Sequence, residues 1–145
     1  MNTSNVRKFC MEVLEAGIEK YDMTVGIVSR IQDGNYEVFA VFSKTGIPQT
    51  GDTYELNAVY CREVFEKKTT IAITEIDGCK GMCLHPLYKD IPCEAYLSSP
   101  IVVEGQTWGT LNYTCFGLRD DSFTQDDIAW NEAQAARIAQ KIMSA

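Results

Sequence analysis

The sequence predicts an α+β fold: a central, mainly antiparallel sheet of five to six strands, terminal helices packed on one face, and a loop and short helix over a pocket on the other. Three observations predict it. Apolar residues recur at helical spacing near both ends of the chain. The middle carries short β-branched and aromatic runs. Asp33-Gly34 and Glu104-Gly105 join such runs by two-residue turns, and a connection this short can only link antiparallel strands.

Ser4 is read as the N-cap of a first helix running to about Tyr21, in which Val6, Phe9, Cys10, Val13, Leu14 and Ile18 form the apolar stripe. A strand of about Thr24 to Ile31 is joined through Asp33-Gly34 to one of about Tyr36 to Phe42. Ser43 to Asp52 is rich in Gly, Pro and Thr and reads as a loop. Asn57 can cap a short helix through Lys67, and Thr69 to Thr74 is a short β-branched strand. Ile76 to Pro92 has no clean period and reads as a long loop, with a turn of helix at Pro86 to Lys89. A loop of that length inside a compact domain is usually functional or mobile.

Glu94 to Val103 is extended, and Gln106 to Phe116 is a long strand. Alternation puts Leu111, Tyr113 and Cys115 on one face of it, with Trp108, Thr110 and Asn112 on the other. The last helix has the clearest start: Thr124 and Asp127 form a capping box, and Phe123 and Ile128 a hydrophobic staple. It runs to about Met143. Ile128, Ala135 and Ile142, with Ile138 and Ala145 at intermediate positions, make half a coiled-coil seam.

With 145 residues the chain suits a single domain, residues 1–145. A chain this long buries roughly two thirds of its unfolded surface, enough for a core and a pocket. A net charge of −7 argues against binding nucleic acid or an anionic membrane surface, and no apolar run approaches the length of a membrane span. The first twenty residues carry charges throughout, unlike a secretory signal, so a cytoplasmic location is expected. The six cysteines then read as thiols, ligands or catalytic groups rather than disulfides. Cys10 and Cys115 sit in apolar patterns and read as small core residues.

Four local patterns, in order, resemble the GAF domain, a small-molecule sensor module of signalling proteins. They are Gly51 to Val64, similar to the start of the family's second helix; Leu84-His85-Pro86-Leu87-Tyr88, similar to the segment before the fourth strand; Ala95 to Pro100 followed by Gly105 to Asn112, similar to the central hairpin; and Phe123 to Asp127, similar to the start of the final helix. The resemblance spans nearly the whole chain. It implies a non-catalytic regulatory domain that binds a small organic ligand between the sheet and the loop layer. It further implies a homodimer through the terminal helices and an effector domain in a larger signal-transduction protein, such as a two-component histidine kinase, a diguanylate cyclase or a transcription regulator. The residues falling on the elements that line the family's cavity are Cys61, His85, Tyr88, Tyr96, Ser98 and Asn112.

Other chemistry is legible in the same stretch. Cys79, Cys83, His85 and Cys93 place four potential zinc ligands within fifteen residues, though without the tight paired knuckle of common zinc motifs. Some GAF proteins reduce free methionine sulfoxide with loop thiols; that resemblance would use Cys83, Cys61 and Cys79, with Cys93 a further resolving partner. The strand Thr110-Leu111-Asn112-Tyr113-Thr114 lacks the carboxylate that such enzymes use for the substrate's ammonium group. Bilin-binding members attach the chromophore to a cysteine beside a histidine, whereas here Leu84 separates Cys83 from His85. There is no Gly-rich phosphate loop, and no nucleophile elbow accompanies the single histidine. The carboxylates at Asp120-Asp121 and Asp126-Asp127 complement the dipole of the final helix.

Overall fold

Asp33 and Gly34 both have positive φ, 52° and 76°, the geometry whose twist matches that of the strands it joins. They connect β1 (Val25–Gln32) to β2 (Asn35–Ser43). The computed structural model describes residues 2–46, 48–55, 69–73, 95–115 and 123–144. Two short strands follow, β3 (Thr53–Glu55) and β4 (Ile71–Ile73). The second hairpin, β5 (Ala95–Val103) to β6 (Gln106–Cys115), turns on Glu104 and Gly105, again at positive φ, 52° and 80°.

These strands form one six-stranded sheet in the order β3-β2-β1-β6-β5-β4, with every neighbouring pair antiparallel. The pairing of β1 with β6 places the two hairpins side by side and seats both strands at the centre. β3 was not expected from the sequence: Thr53 to Glu55 falls in the stretch that reads as leading into a helix, but Tyr54 pairs with Tyr36 on the sheet edge. The short helix from Asn57 to Lys67 and the long loop of Ile76 to Pro92 lie outside the described residues.

The first helix, α1, spans Thr3–Tyr21. Its cap is Asn2 rather than Ser4: the Asn5 amide donates to Asn2 Oδ1 at 3.2 Å. Asparagine caps as well as serine, and Ser4 lies inside the first turn. The last helix, α2, spans Gln125–Ser144. Its start is the reciprocal box read from the sequence, with Thr124 N–H donating to Asp127 Oδ2 (2.9 Å) and Asp127 N–H to Thr124 Oγ1 (3.1 Å). Phe123 and Ile128 both pack against the core.

Both helices lie on the same face of the sheet. Val6, Cys10, Val13 and Leu14 from α1 share one apolar cluster with Ala135, Ile138, Ala139 and Ile142 from α2 and with Val28, Leu97, Leu111 and Tyr113 from the strands. The half-seam of Ala135, Ile138 and Ile142 is therefore occupied within the chain itself. Tyr21 ties the helices together. Its ring meets Tyr113, Phe123 and Trp130 edge-on at 5.2, 6.2 and 5.5 Å, and its hydroxyl donates to the Asp127 carbonyl at 2.9 Å.

Trp108 departs from simple alternation. It packs against the helix-side core, edge-on to Phe39 at 5.2 Å, instead of facing away with Asn112. The cause is a register shift between Ile101 and Val102: Ile101 pairs with Gly109 and Val102 with Thr107, so Trp108 is the extra residue of a bulge.

Candidate functional site

Successive residues of a strand point to opposite faces, and contacts with the helices fix which face is which. Tyr113 donates to the Val13 carbonyl of α1 at 3.2 Å, and Leu111 and Ser99 meet Asn131 of α2. Their neighbours Asn112, Thr110 and Ser98 therefore face away from the helices. So does Ser29, which is paired with Thr110, and so do Tyr96 and Thr114, which are paired with each other.

This far face carries a connected polar strip across the central strands. Ser29 Oγ and Thr110 Oγ1 are 2.6 Å apart, and the Thr110 amide donates to Ser29 Oγ at 3.0 Å. Asn112 Nδ2 donates to Thr110 Oγ1 and to the Tyr36 hydroxyl, both at 3.2 Å. Ser98 lies directly opposite Asn112 on β5, and Tyr36 reaches the strip from β2. Ser29, Ser98 and Thr110 have no exposed surface and Asn112 only 2%. A polar group taken out of water costs free energy unless it is hydrogen-bonded, and this strip satisfies that demand. None of the side chains that alternation places on this face in β1, β5 and β6 is charged. The strip is thus a neutral, hydrogen-bonded patch in an apolar frame, with Ile27 beside Asn112 and Ile71 beside Ser98.

Of the cavity residues expected from the sequence, the structure brings Tyr96, Ser98 and Asn112 together on this face. Cys61, His85 and Tyr88 lie outside the described residues, as do the thiols Cys79, Cys83 and Cys93 of the zinc and redox expectations. Sequence reasoning missed Ser29 and Tyr36 as members of the strip, and placed Thr110 on the right face without assigning it to the site. Ser29 carried a signal: it is the polar residue at a position whose alternates, Ile27 and Ile31, are apolar.

The two described cysteines behave as core residues. Cys10 is fully buried, and burial pushes its thiol from 9.0 up to about 12 against the lowering pull of Arg7. Cys115 is partly buried and accepts a long contact from Thr24 Oγ1 at 3.9 Å. On the helix side, an open cleft of about 480 Å³ is lined by Glu15, Ile18, Glu19, Asp22, Phe42 and Lys44, with Lys44 3.8 Å from Asp22. Its charged groups are solvated, unlike the buried strip.

A family model for the GAF domain matches residues 3–143. The chain belongs to the GAF domain family. Solved structures agree on the fold of this GAF domain. The type II free methionine-R-sulfoxide reductase of Thermoplasma acidophilum superposes with a TM-score of 0.79 at 12% identity, covering 98% of this chain and 95% of that one. The GAF domain of an Acinetobacter phosphoenolpyruvate-protein phosphotransferase gives 0.77 at 12%, covering 100% and 95%. The blue-light-absorbing PixJ GAF domain of Thermosynechococcus elongatus gives 0.75 at 17%, covering 97% and 89%. No curated protein matches the sequence. The similar structures include a reductase, a phosphotransferase domain and a photoreceptor, so the likeness establishes the GAF architecture and leaves the chemistry to the residues. No helix among the described residues is long and apolar enough to cross a membrane.

Proposed function

We propose that this GAF domain is a non-catalytic regulatory module that binds a small, neutral, hydrogen-bonding organic ligand against the far face of its sheet. The observation that carries the reading is the buried strip of Ser29, Thr110, Asn112 and Ser98 on the side away from both helices. A sheet face that served packing alone would gain more from apolar residues, because each buried hydroxyl or amide must first recover its lost hydration. Pockets use a few fixed polar groups in an apolar lining to orient a ligand, and the strip with its flanking isoleucines has that composition. In this reading Cys61, His85 and Tyr88 complete the lining. The domain works as the cytoplasmic sensory part of a larger signalling protein, paired with a second copy through the outward faces of its terminal helices, since Ala135, Ile138 and Ile142 are already packed within the chain.

The test is a thermal-shift screen of small metabolites on the native protein and on Asn112→Leu. Binding that raises the melting temperature of the native protein and is abolished in the variant supports the reading. Stabilisation that survives in Asn112→Leu places the ligand elsewhere and sinks it. An NADPH-coupled assay with free methionine sulfoxide separates the competing thiol enzyme: turnover lost in Cys83→Ser would replace the sensor reading with a reductase.

A further inference from the structure

Asn131 is anomalous in α2. It occupies a core-facing position among Ile128, Ala135, Ile138 and Ile142, and it is fully buried. Its amide Nδ2 donates to Ser99 Oγ at 2.9 Å and to the Leu111 carbonyl at 3.3 Å, while its Oδ1 is buried with no partner among the described groups. A leucine there would fill the space without an unsatisfied acceptor. An asparagine in an otherwise apolar helix seam lowers stability and specifies one register, because only one placement gives its Nδ2 both acceptors.

What Asn131 grips is significant. Ser99 and Leu111 are paired across β5 and β6, and the adjacent pair on the same two strands is Ser98 and Asn112, at the centre of the far-face strip. One peptide unit separates each strip residue from the one that Asn131 holds. Ser99 Oγ also lies 2.9 Å from Thr70 Oγ1, one residue before β4, so the chain entering the outer edge of the sheet joins the same node. A displacement of β5 against β6 at Ser98 and Asn112 cannot leave both Asn131 bonds intact, since they end on different strands.

We propose that Asn131 is the coupling residue through which the far face of the sheet controls the seating of α2. Occupancy that shifts Ser98 against Asn112 breaks the two-strand grip and releases the helix to a second seating, in which the apolar neighbours still pack but the amide is rehydrated. The regulatory meaning rests on the ligand reading given above; the mechanical coupling does not, and it is testable without a ligand.

The experiment measures amide hydrogen exchange by peptide-resolved mass spectrometry, under conditions where local opening dominates. The proteins are the native chain, Asn112→Leu, Asn131→Leu and the double variant, with Ser99→Ala replacing Asn131→Leu in a second set. Asn112→Leu disturbs the strip from the far face, because it puts a branched apolar side chain where an amide bonds Thr110 and Tyr36. The coupling predicts that this change speeds exchange in the α2 segment around Asn131 by about tenfold in the native background and less than about twofold with Asn131→Leu or Ser99→Ala. Peptides of α1 around Val13, held by Tyr113 from the same strand, should not show this dependence. Equal acceleration of α2 with and without Asn131, or none in Asn112→Leu, overturns the proposal. Should Asn131→Leu fail to fold, Ser99→Ala breaks the same bond from the strand side and decides the matter. A ligand screen that finds nothing would remove the sensor reading while leaving this result standing.

Discussion

The phenol ring of Tyr113 occupies the space that a side chain at Gly17 would need. Any Cβ built on Gly17 collides with the Tyr113 hydroxyl and ring carbons, and one on Gly26 meets the same ring from the strand side. Tyr113 is thus wedged between α1 and β1, fully buried, with its hydroxyl on the Val13 carbonyl and its ionisation opposed first by burial and then by nearby Tyr21. A glycine in mid-helix normally lowers stability, and here it makes room for a fully buried tyrosine at the helix–sheet interface.

Gly17→Ala should therefore destabilise the domain by about 1–3 kcal/mol, although exposed mid-helix glycines gain about 1 kcal/mol from the same change. Urea unfolding measures it. Combining it with Tyr113→Phe, which removes the nearest atom, should recover part of the loss. Strict additivity would mean that the two residues do not compete for space.

The buried Cys10 thiol makes stability fall in alkali. Its folded value, about 12, lies above the ordinary 9.0. Its contribution is therefore complete below pH 9 and is lost as pH rises through the 9.0 to 12 window, because the unfolded chain ionises first. The slope from this single group approaches about 1.4 kcal/mol per pH unit within that window. Cys10→Ala should flatten the unfolding free energy between about pH 9 and 11. An unchanged slope would show that the thiol is not desolvated.

Thr124→Ala removes the side-chain acceptor of the Asp127 amide and should cost about 1 kcal/mol. The effect should also appear at Tyr21, whose hydroxyl is held by the Asp127 carbonyl. Thermal unfolding gives the cost, and tyrosine and tryptophan fluorescence of the Tyr21–Trp130 contact reports the loosened helix start.

Ser29→Ala leaves the buried Thr110 amide without its side-chain acceptor and should cost about 1–3 kcal/mol. Ser29→Ala with Thr110→Val should cost less than the two single changes summed, because both substitutions break the same 2.6 Å hydroxyl pair. Denaturant midpoints on the four proteins close the cycle.

Local chemistry by itself determined the turns and the helix start. Asp33-Gly34, Glu104-Gly105 and the Thr124–Asp127 box each act within a short stretch of chain, and each appears in the structure where the sequence places it. The helical and strand periods determined the two terminal helices, the main hairpins and the antiparallel α+β class. They also put Tyr96, Ser98 and Asn112 on the elements where they meet. Only the tertiary structure decided what depends on partners far away in sequence. The cap fell to Asn2 rather than Ser4 because neighbouring polar residues of similar propensity leave the choice to packing. Trp108 turned to the core because β5 and β6 slip by one residue at Ile101, and Thr53 to Glu55 became a strand only because β2 offers an edge. Ser29 joined Thr110, and Tyr36 joined Asn112, through contacts 81 and 76 residues apart in sequence. Such pairings follow from sheet order and register, which a one-dimensional pattern does not encode. The same holds for Gly17 and Asn131, whose roles come from Tyr113, Ser99 and Leu111 on distant strands.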